Sequence, residues 1–258
     1  MIGCIIQARM GSTRLPGKIL EKIDDKYTVL EYTIKQLKCC KKIDKIIVAT
    51  TEEKEDDVVE KYLKSNGIEY HRGSSENVLD RYLQCAKKFS VDIIIRITAD
   101  NPLIDPQIVD TIIDEYKKRK CDFITNTINR TFPYGTEVEI FSYDTLEKAW
   151  KKAKKPSEKE HVTIFIKDPK NGFNLENITN VENFSNLRYT VDKKEDLVLV
   201  KEIVKNIHNR PILLQDIIEL YRRKSKIFEI NRNVKHDGYL SSIEKDEQYF
   251  KSKNKERT

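Results

Sequence analysis

The chain has 258 residues, of which 38% are hydrophobic and 35% charged, and its net charge of +6 comes from 48 basic and 42 acidic residues. This hydrophobic content excludes a wholly disordered chain, and the length suits one large α/β domain or two small ones. The lysines are spread along the chain rather than gathered in one stripe, which argues against a nucleic-acid-binding protein.

The cysteines and the apolar runs bear on the cellular compartment. The five cysteines are odd in number and include no Cys-x-x-Cys pair, so we expect reduced thiols rather than disulfides or a zinc site. The chain begins with a strand-like segment instead of a signal-peptide pattern, and no apolar run approaches the length of a membrane span. We therefore expect a cytoplasmic protein that does not bind membranes.

Strand-like and helical patterns alternate through the first half of the chain. The predicted elements are a strand at Ile2–Ile6, a helix at Tyr27–Cys39, a strand at Lys45–Thr50, a helix at Glu52–Ser65, a strand at Ile68–His71, a helix at Ser75–Phe89 capped by Ser74 or Ser75, a strand at Asp92–Ile97 and a helix from Asp105-Pro106 to Arg119. Buried strands alternating with helices predict an α/β fold with a mostly parallel, Rossmann-like sheet flanked by helices.

The second half of the chain has a less regular pattern. We predict strands at Cys121–Thr125, Glu137–Phe141 and Asn186–Val191, and helices at Thr145–Lys154, Glu195–Asn206 and Leu214–Lys224. We interpret residues 1–240 as a single domain with an inserted lid or dimerisation element at about 125–185. The polar residues 241–258 are predicted to be a mobile tail.

The loop after the first strand is the most informative segment, and we call residues 7–18 the 7–18 loop. It carries three cations, Arg9, Arg14 and Lys18, which suit the oxygens of a triphosphate. Gly11 and Gly17 allow the backbone to approach a ligand closely. A solvated basic turn could have the same composition. The end of a strand in a parallel sheet is, however, where ligands bind, and this position favours a polyanion site.

Two familiar phosphate-binding loops are excluded by spacing. A P-loop needs four residues between its glycines and a Ser or Thr after its lysine, whereas five residues separate Gly11 from Gly17, and Ile19 follows Lys18. The Gly-x-Gly-x-x-Gly fingerprint of dinucleotide-binding proteins is also absent. The 7–18 loop is therefore a third kind of loop, distinct from both.

The stretch Ala8–Lys18 resembles the signature of cytidylyltransferases that make CMP-sugars, including CMP-Kdo and CMP-sialic acid synthetases. The resemblance covers about residues 1–225 and is closest to the spore-coat polysaccharide branch, through Ile47–Thr51, Gly73–Tyr82, Pro133–Glu139 and Glu160–Thr163. It implies a nucleotide-diphospho-sugar transferase fold and a homodimer. It also implies Mg²⁺-dependent transfer of CMP from CTP to an acidic sugar or related acceptor, with release of pyrophosphate, for surface polysaccharide or glycan biosynthesis.

The resemblance also suggests roles for individual residues. Catalysis is expected to involve Arg9, Arg14, Lys18 and Asp100. The nucleotide contacts are expected to be Gln7, Ala8, Arg9, Gly11, Ser12, Lys18, Ser75 and Asn77. The acceptor contacts are expected to be Arg81, Glu137, Glu139 and His161, of which Glu137 and Glu139 fall on one face of a predicted strand. Each of the last six has a simpler alternative: a helix start for Ser75 and Asn77, a solvated surface for Arg81 and both glutamates, and a structural role for His161.

The expected metal ligands are Asp100 and Asp192. Asp100 follows a buried strand, and one or two carboxylates together with substrate phosphates suit Mg²⁺. Asp192 follows a strand-like segment and precedes a helix, and only the resemblance pairs it with Asp100. On the residues alone, Asp100 could cap a turn and Asp192 could cap the following helix. An Asp-x-Asp motif, typical of metal-dependent glycosyltransferases, is absent.

Two rival functions stay open. One is a nucleotidyltransferase that uses another nucleotide or a phosphorylated, non-sugar acceptor. The other is a non-catalytic nucleotide-binding protein on the same fold, although the presence of both aspartates with the loop cations favours an enzyme. Kdo itself is disfavoured, because Gly73–Tyr82 and 133–139 depart from the CMP-Kdo synthetases where acceptor contacts are expected.

Overall fold

The computed structural model describes residues 1–234 and Asp246, and its centre is a seven-stranded sheet. The strands are β1 (Ile2–Gln7), β2 (Lys45–Thr51), β3 (Glu69–Gly73), β4 (Ile93–Thr98), β5 (Phe123–Thr125), β6 (Glu139–Ser142) and β7 (Leu175–Asn177). Their order across the sheet is β3-β2-β1-β4-β6-β5-β7. Only β6 is antiparallel to its neighbours β4 and β5 within this sheet. The predicted mostly parallel α/β fold is confirmed.

Helices cover both faces of the sheet. The α-helices of the described residues are α1 (Val29–Leu37), α2 (Asp57–Ser65), α3 (Val78–Lys88), α4 (Pro106–Lys118), α5 (Tyr143–Lys152), α6 (Pro156–Glu160), α7 (Ile164–Lys167), α8 (Lys194–Asn206) and α9 (Leu214–Arg223). Side chains of β1 alternate between the faces. Cys4 and Ile6 share a core with α1, α2 and α4, whereas Ile5 shares one with α3 and α5. A third core lies between α8, α9 and the segment before them.

Helix caps were predicted correctly at α4 and incorrectly at α3. Asp105 caps α4 by accepting hydrogen bonds from the amides of its first turn. At α3 the cap is Asn77, whose Oδ1 accepts the Asp80 N–H at 3.0 Å. The hydroxyl of Ser74 instead accepts the Asn77 N–H at 2.9 Å, so residues 74–77 form a turn before the helix.

The predicted strand at Asn186–Val191 is wrong. Its only strand-type pairing in the described residues is an isolated bridge between Tyr134 and Arg188. The alternating apolar side chains that suggested a strand are buried in the third core rather than aligned in the sheet. This segment is nevertheless held next to Asp100, because the Val191 N–H donates to the Asp100 carbonyl at 2.8 Å.

Residues 125–185, the expected insert, contribute β6 and β7 to the main sheet together with α5, α6 and α7. The prediction that Glu137 and Glu139 share a strand face is wrong, because Glu137 precedes β6. Of the predicted tail at 241–258, all but Asp246 lies outside the described residues. No helix in the described part of the chain combines the length and apolar character needed to cross a membrane.

Candidate active site

The 7–18 loop closes on the carbonyl of Met10. This carbonyl accepts the N–H groups of Ser12 at 2.8 Å and Gly17 at 3.0 Å, so residues 10 and 17 are held together across the loop. Gly17 has a φ of 72°, which an L side chain adopts only with strain. A short 3₁₀-helix at Lys18–Leu20 follows and directs Lys18 into the cleft above the sheet.

Lys18 joins the two aspartates that the sequence places 92 positions apart. Its Nζ lies 2.7 Å from Asp100 Oδ2 and 2.8 Å from Asp192 Oδ1. Asp192 also accepts hydrogen bonds from Arg14 at 2.6 Å and from Arg188 at 2.8 Å. Asp192 does not cap α8, because the cap position is Lys193. The structure thus brings together the aspartate pair that the resemblance implied.

The pKa shifts reflect this clustering of charge. Burial acts to lower the pKa of Lys18, but the charges of Asp100 and Asp192 outweigh burial and raise it. Burial acts to raise the pKa of Asp192, but Lys18 and Arg14 hold it well below its usual range. Lys18 is therefore an ammonium ion and Asp192 a carboxylate at neutral pH.

A cleft of about 580 Å³ opens beside these groups, at the carboxyl ends of β1 and β4. Seven of the expected site residues line it: Gln7, Arg9, Ser12, Arg14, Lys18, Asp100 and His161. Arg9 makes no hydrogen bond or ion pair with any residue that the structure describes. Its charge is therefore available to a ligand. Gln7 Oε1 accepts a hydrogen bond from Arg96 at 3.2 Å, and the Ser12 hydroxyl accepts the Leu15 N–H at 3.3 Å.

Ala8 and Gly11 belong to the loop but do not line the cleft. Ala8 is buried, with 1% of its surface exposed. Gly11 packs against the residues before α2, since a Cβ at this position would lie 2.5 Å from Glu55 Oε1. Ala8 and Gly11 thus shape the loop backbone.

Ser75, Asn77 and Arg81 also do not line the cleft. Ser75 donates to Glu53 Oε1 at 2.8 Å, and Asn77 caps α3. The Arg81 side chain is fully buried, and its Nη1 donates to the Ser74 carbonyl at 2.6 Å. Burial lowers the pKa of Arg81 to about 10. The geometry supports a role for Arg81 in fixing the turn before α3 rather than in direct contact with an acceptor.

The two predicted glutamates have ionic partners. Glu137 pairs with Arg130 at 2.8 Å. Glu139 is 5% exposed and pairs with Arg96 at 2.7 Å and Lys167 at 2.9 Å. Burial acts to raise the pKa of Glu139, but these two cations outweigh burial and lower it to about 2. Glu139 thus orients two cations rather than facing a ligand itself.

A second cavity of about 590 Å³ adjoins the cleft, and Arg96 and His161 line both. Its other polar walls come from α6, α7 and their flanks: Lys155, Ser157, Thr163, Lys167 and Asp168. Asp246 also lines it and accepts hydrogen bonds from the Ser157 amide and hydroxyl. The sequence pointed only to His161 in this region.

Sequence reasoning missed two groups that hold the site together. Arg188 is 7% exposed and bridges Asp192 and Asp196. Asp56 is fully buried, and its Oδ1 accepts the Met10 N–H at 2.6 Å. Arg188 lies within the predicted strand Asn186–Val191 and Asp56 within the predicted helix Glu52–Ser65, so no local signal marked either as a site residue.

The residues present fit a magnesium ion. The carboxylates of Asp100 and Asp192 converge on a single cationic group, the ammonium of Lys18. Mg²⁺ is typically held by one or two carboxylates, with phosphate oxygens and waters completing its shell. No group of three or more acidic, histidine or cysteine side chains able to hold a metal occurs in residues 1–234. Two carboxylates plus substrate oxygens are therefore the donor set available here.

Comparison with known proteins identifies relatives along most of the chain. A family model described as cytidylyltransferase matches residues 3–254. An uncharacterised protein of Methanocaldococcus jannaschii is 37% identical over 91% of this chain and 96% of its own. The spore coat polysaccharide biosynthesis protein SpsF of Bacillus subtilis is 31% identical over 85% of this chain and 93% of its own. The structure of a cytidylyltransferase from Leptospira borgpetersenii superposes with a TM-score of 0.86 at 36% identity, covering 91% of this chain and 99% of that one.

Proposed function

This chain belongs to the cytidylyltransferase family, and from that premise we propose that it transfers CMP from CTP to an acidic sugar, releasing pyrophosphate. The observation that carries the proposal is the convergence of Lys18, Asp100 and Asp192 beside a cleft lined by further cations. This arrangement provides charges of both signs where a metal-bound triphosphate needs them.

Each charged group has a role in the proposed reaction. An acceptor oxygen attacks the α-phosphorus of CTP in line, and the bond to the leaving pyrophosphate breaks. Arg9, Arg14 and Lys18 bind the triphosphate and neutralise charge on the leaving group. Asp100 and Asp192 would hold Mg²⁺, which would neutralise phosphate charge and polarise the reacting oxygens. Arg188 keeps Asp192 oriented by donating to Oδ2, whereas Lys18 donates to Oδ1.

The acceptor occupies the second cavity in this proposal. Its lysines, hydroxyls and carboxylates supply both donors and acceptors, which suits a polyhydroxylated ligand. Arg96 and His161, which line both cavities, lie where the attacking oxygen would enter the cleft. We further propose that the protein acts as a homodimer in surface-glycan biosynthesis, in keeping with the name of its Bacillus subtilis relative.

Product analysis tests this function. The protein is incubated with CTP, Mg²⁺ and a panel of acidic sugars and polyol phosphates, and CMP adducts are sought by mass spectrometry. The proposal predicts a CMP-sugar acid. A CMP adduct of a polyol phosphate alone would replace the sugar acceptor with a phosphorylated one.

Thermal unfolding separates an enzyme from a binding module. The proposal predicts that CTP stabilises the protein strongly only when Mg²⁺ is present. Equal stabilisation without the metal, combined with no CMP adduct from any acceptor, would instead indicate a non-catalytic nucleotide-binding protein.

A further inference from the structure

A buried carboxylate connects the 7–18 loop to the end of the neighbouring strand. Asp56 ends a short 3₁₀-helix at Lys54–Asp56 and is fully buried. Its Oδ1 accepts the Met10 N–H at 2.6 Å, and its Oδ2 accepts the hydroxyl of Thr51, the last residue of β2. One side chain thus ties together the segments that follow β1 and β2.

Asp56 occupies the cap position of α2 but does not act as a cap. Its carboxylate makes no hydrogen bond to the amides of that helix. A carboxylate at a helix N-terminus ordinarily accepts such bonds. Both oxygens of Asp56 are instead directed away from the helix, towards Thr51 and the loop.

The loop depends on the backbone of Met10. The Met10 N–H, in the Arg9–Met10 peptide, donates to Asp56, and the Met10 carbonyl, in the next peptide, accepts the amides of Ser12 and Gly17. Arg9 immediately precedes Met10, and Lys18 immediately follows Gly17. A shift of the Met10 backbone would therefore move both cations relative to each other.

The negative charge of Asp56 has a second effect. Arg81, fully buried, has no acceptor for its Nε and Nη2 in the described structure. The charge of Asp56 acts to raise the pKa of Arg81, whereas burial and the charge of Arg9 lower it. Asp56 thus offsets part of the positive charge that accumulates near the loop.

We infer that Asp56 is a positioning residue for nucleotidyl transfer, which fixes the backbone at Met10 so that Arg9 and Lys18 face the same triphosphate. It acts through the loop and does not touch the nucleotide. The predicted effect on the KM for CTP rests on the proposed function, whereas the predicted effect on the order of the 7–18 loop does not.

Hydrogen exchange of the free protein tests loop order directly. In Asp56→Ala the amides of Met10, Ser12 and Gly17 should exchange about tenfold faster or more. The Met10 amide loses its hydrogen bond to a charged acceptor, and the Ser12 and Gly17 amides donate to a Met10 carbonyl that is no longer held in place. Asp56→Asn should retain protection, because its amide oxygen can accept from Met10 and its NH₂ can donate to Thr51. The control is Asn126→Ala, which removes a buried side chain that braces Thr136 and Val138. It should leave the loop amides unchanged.

Steady-state kinetics add a second measurement, the KM for CTP, which a purely structural role of Asp56 would leave unchanged. Asp56→Ala should raise the KM for CTP about tenfold, and Asp56→Asn should restore most of the loss. Unchanged loop exchange and an unchanged KM in a folded Asp56→Ala protein would overturn the inference. If Asp56→Ala does not fold, Thr51→Val is used, and wild-type loop exchange in that variant would overturn it. Failure of the wild-type protein to bind CTP would refute the proposed function, while the exchange data would still decide the role of Asp56.

Discussion

At the level of single residues, the site depends on charges that neutralise one another in pairs. Lys18 lies between Asp100 and Asp192, and Asp192 in turn lies between Lys18, Arg14 and Arg188. Removing one member of such a group leaves its partners buried without compensation, which is costly. The same cations must exchange partners when a triphosphate binds, so the pairing also keeps them oriented before the ligand arrives.

The buried Glu139 provides a prediction about acid stability. Its folded-state pKa, lowered from 4.5 to about 2, contributes stability that is present above pH 4.5 and lost as the pH falls towards 2. The contribution is about 3 kcal/mol, since one pKa unit corresponds to about 1.4 kcal/mol. Urea unfolding of the wild type should therefore show a loss over this pH range that Glu139→Gln lacks. Glu137→Gln serves as the control. Equal pH slopes in the wild type and Glu139→Gln would contradict the assignment.

At the level of elements, the conformation of the 7–18 loop can be tested at a glycine. Gly17→Ala should destabilise the protein by about 1 kcal/mol, because φ is 72° at this position, and its Cβ would lie 3.3 Å from Met10 Cε. Gly67 after α2 is the matched control, with a φ of 61° and nothing within 4 Å of an added Cβ. Both variants should lower the midpoint of thermal unfolding, but only Gly17→Ala should weaken CTP binding in calorimetry. If Gly17→Ala and the wild type bind CTP equally well, CTP binding does not depend on this conformation of the loop.

The sequence predicted those parts of the site that depend on local pattern. The strand–loop junction placed Arg9 and Lys18 at the sheet edge, and the buried strand before Asp100 placed that carboxylate at the same edge. Arg188 and Asp56 could not be predicted, because their roles arise from contacts between segments, such as the 46 positions between Asp56 and Met10. The false strand at 186–191 has the same origin, since burial in a helical core and burial in a sheet produce similar alternation.

At the level of the whole molecule, we propose a position for the interface of the proposed homodimer. Ile128 and Val181 are exposed by 45% and 103% and lie in residues 125–185, the segment predicted to include a lid or dimerisation element. The Ile128 N–H donates to Asn177, and the Asn180 N–H donates to Thr131, so the two segments adjoin. Apolar residues exposed together on one surface commonly mark an interface.

A double substitution tests this location. Ile128→Asp with Val181→Asp should shift the protein from dimer to monomer in sedimentation velocity, because charge is excluded from the core of an interface. Val58→Asp with Val198→Asp is the control, since both residues are also exposed, by 46% and 48%, but lie on α2 and α8. A wild-type monomer, or a double variant that remains dimeric, would contradict an interface at the insert.

The most direct test of the whole account measures pyrophosphate release from CTP and Mg²⁺ in the presence of the acidic-sugar panel. Lys18→Ala and Asp100→Ala should each lower the rate about 100-fold or more, because each removes a charge that stabilises the transition state. Lys22→Ala, which changes a lysine outside the cleft, should retain the wild-type rate. Near-normal release by both cleft variants would contradict a cytidylyltransferase site built on Lys18 and Asp100.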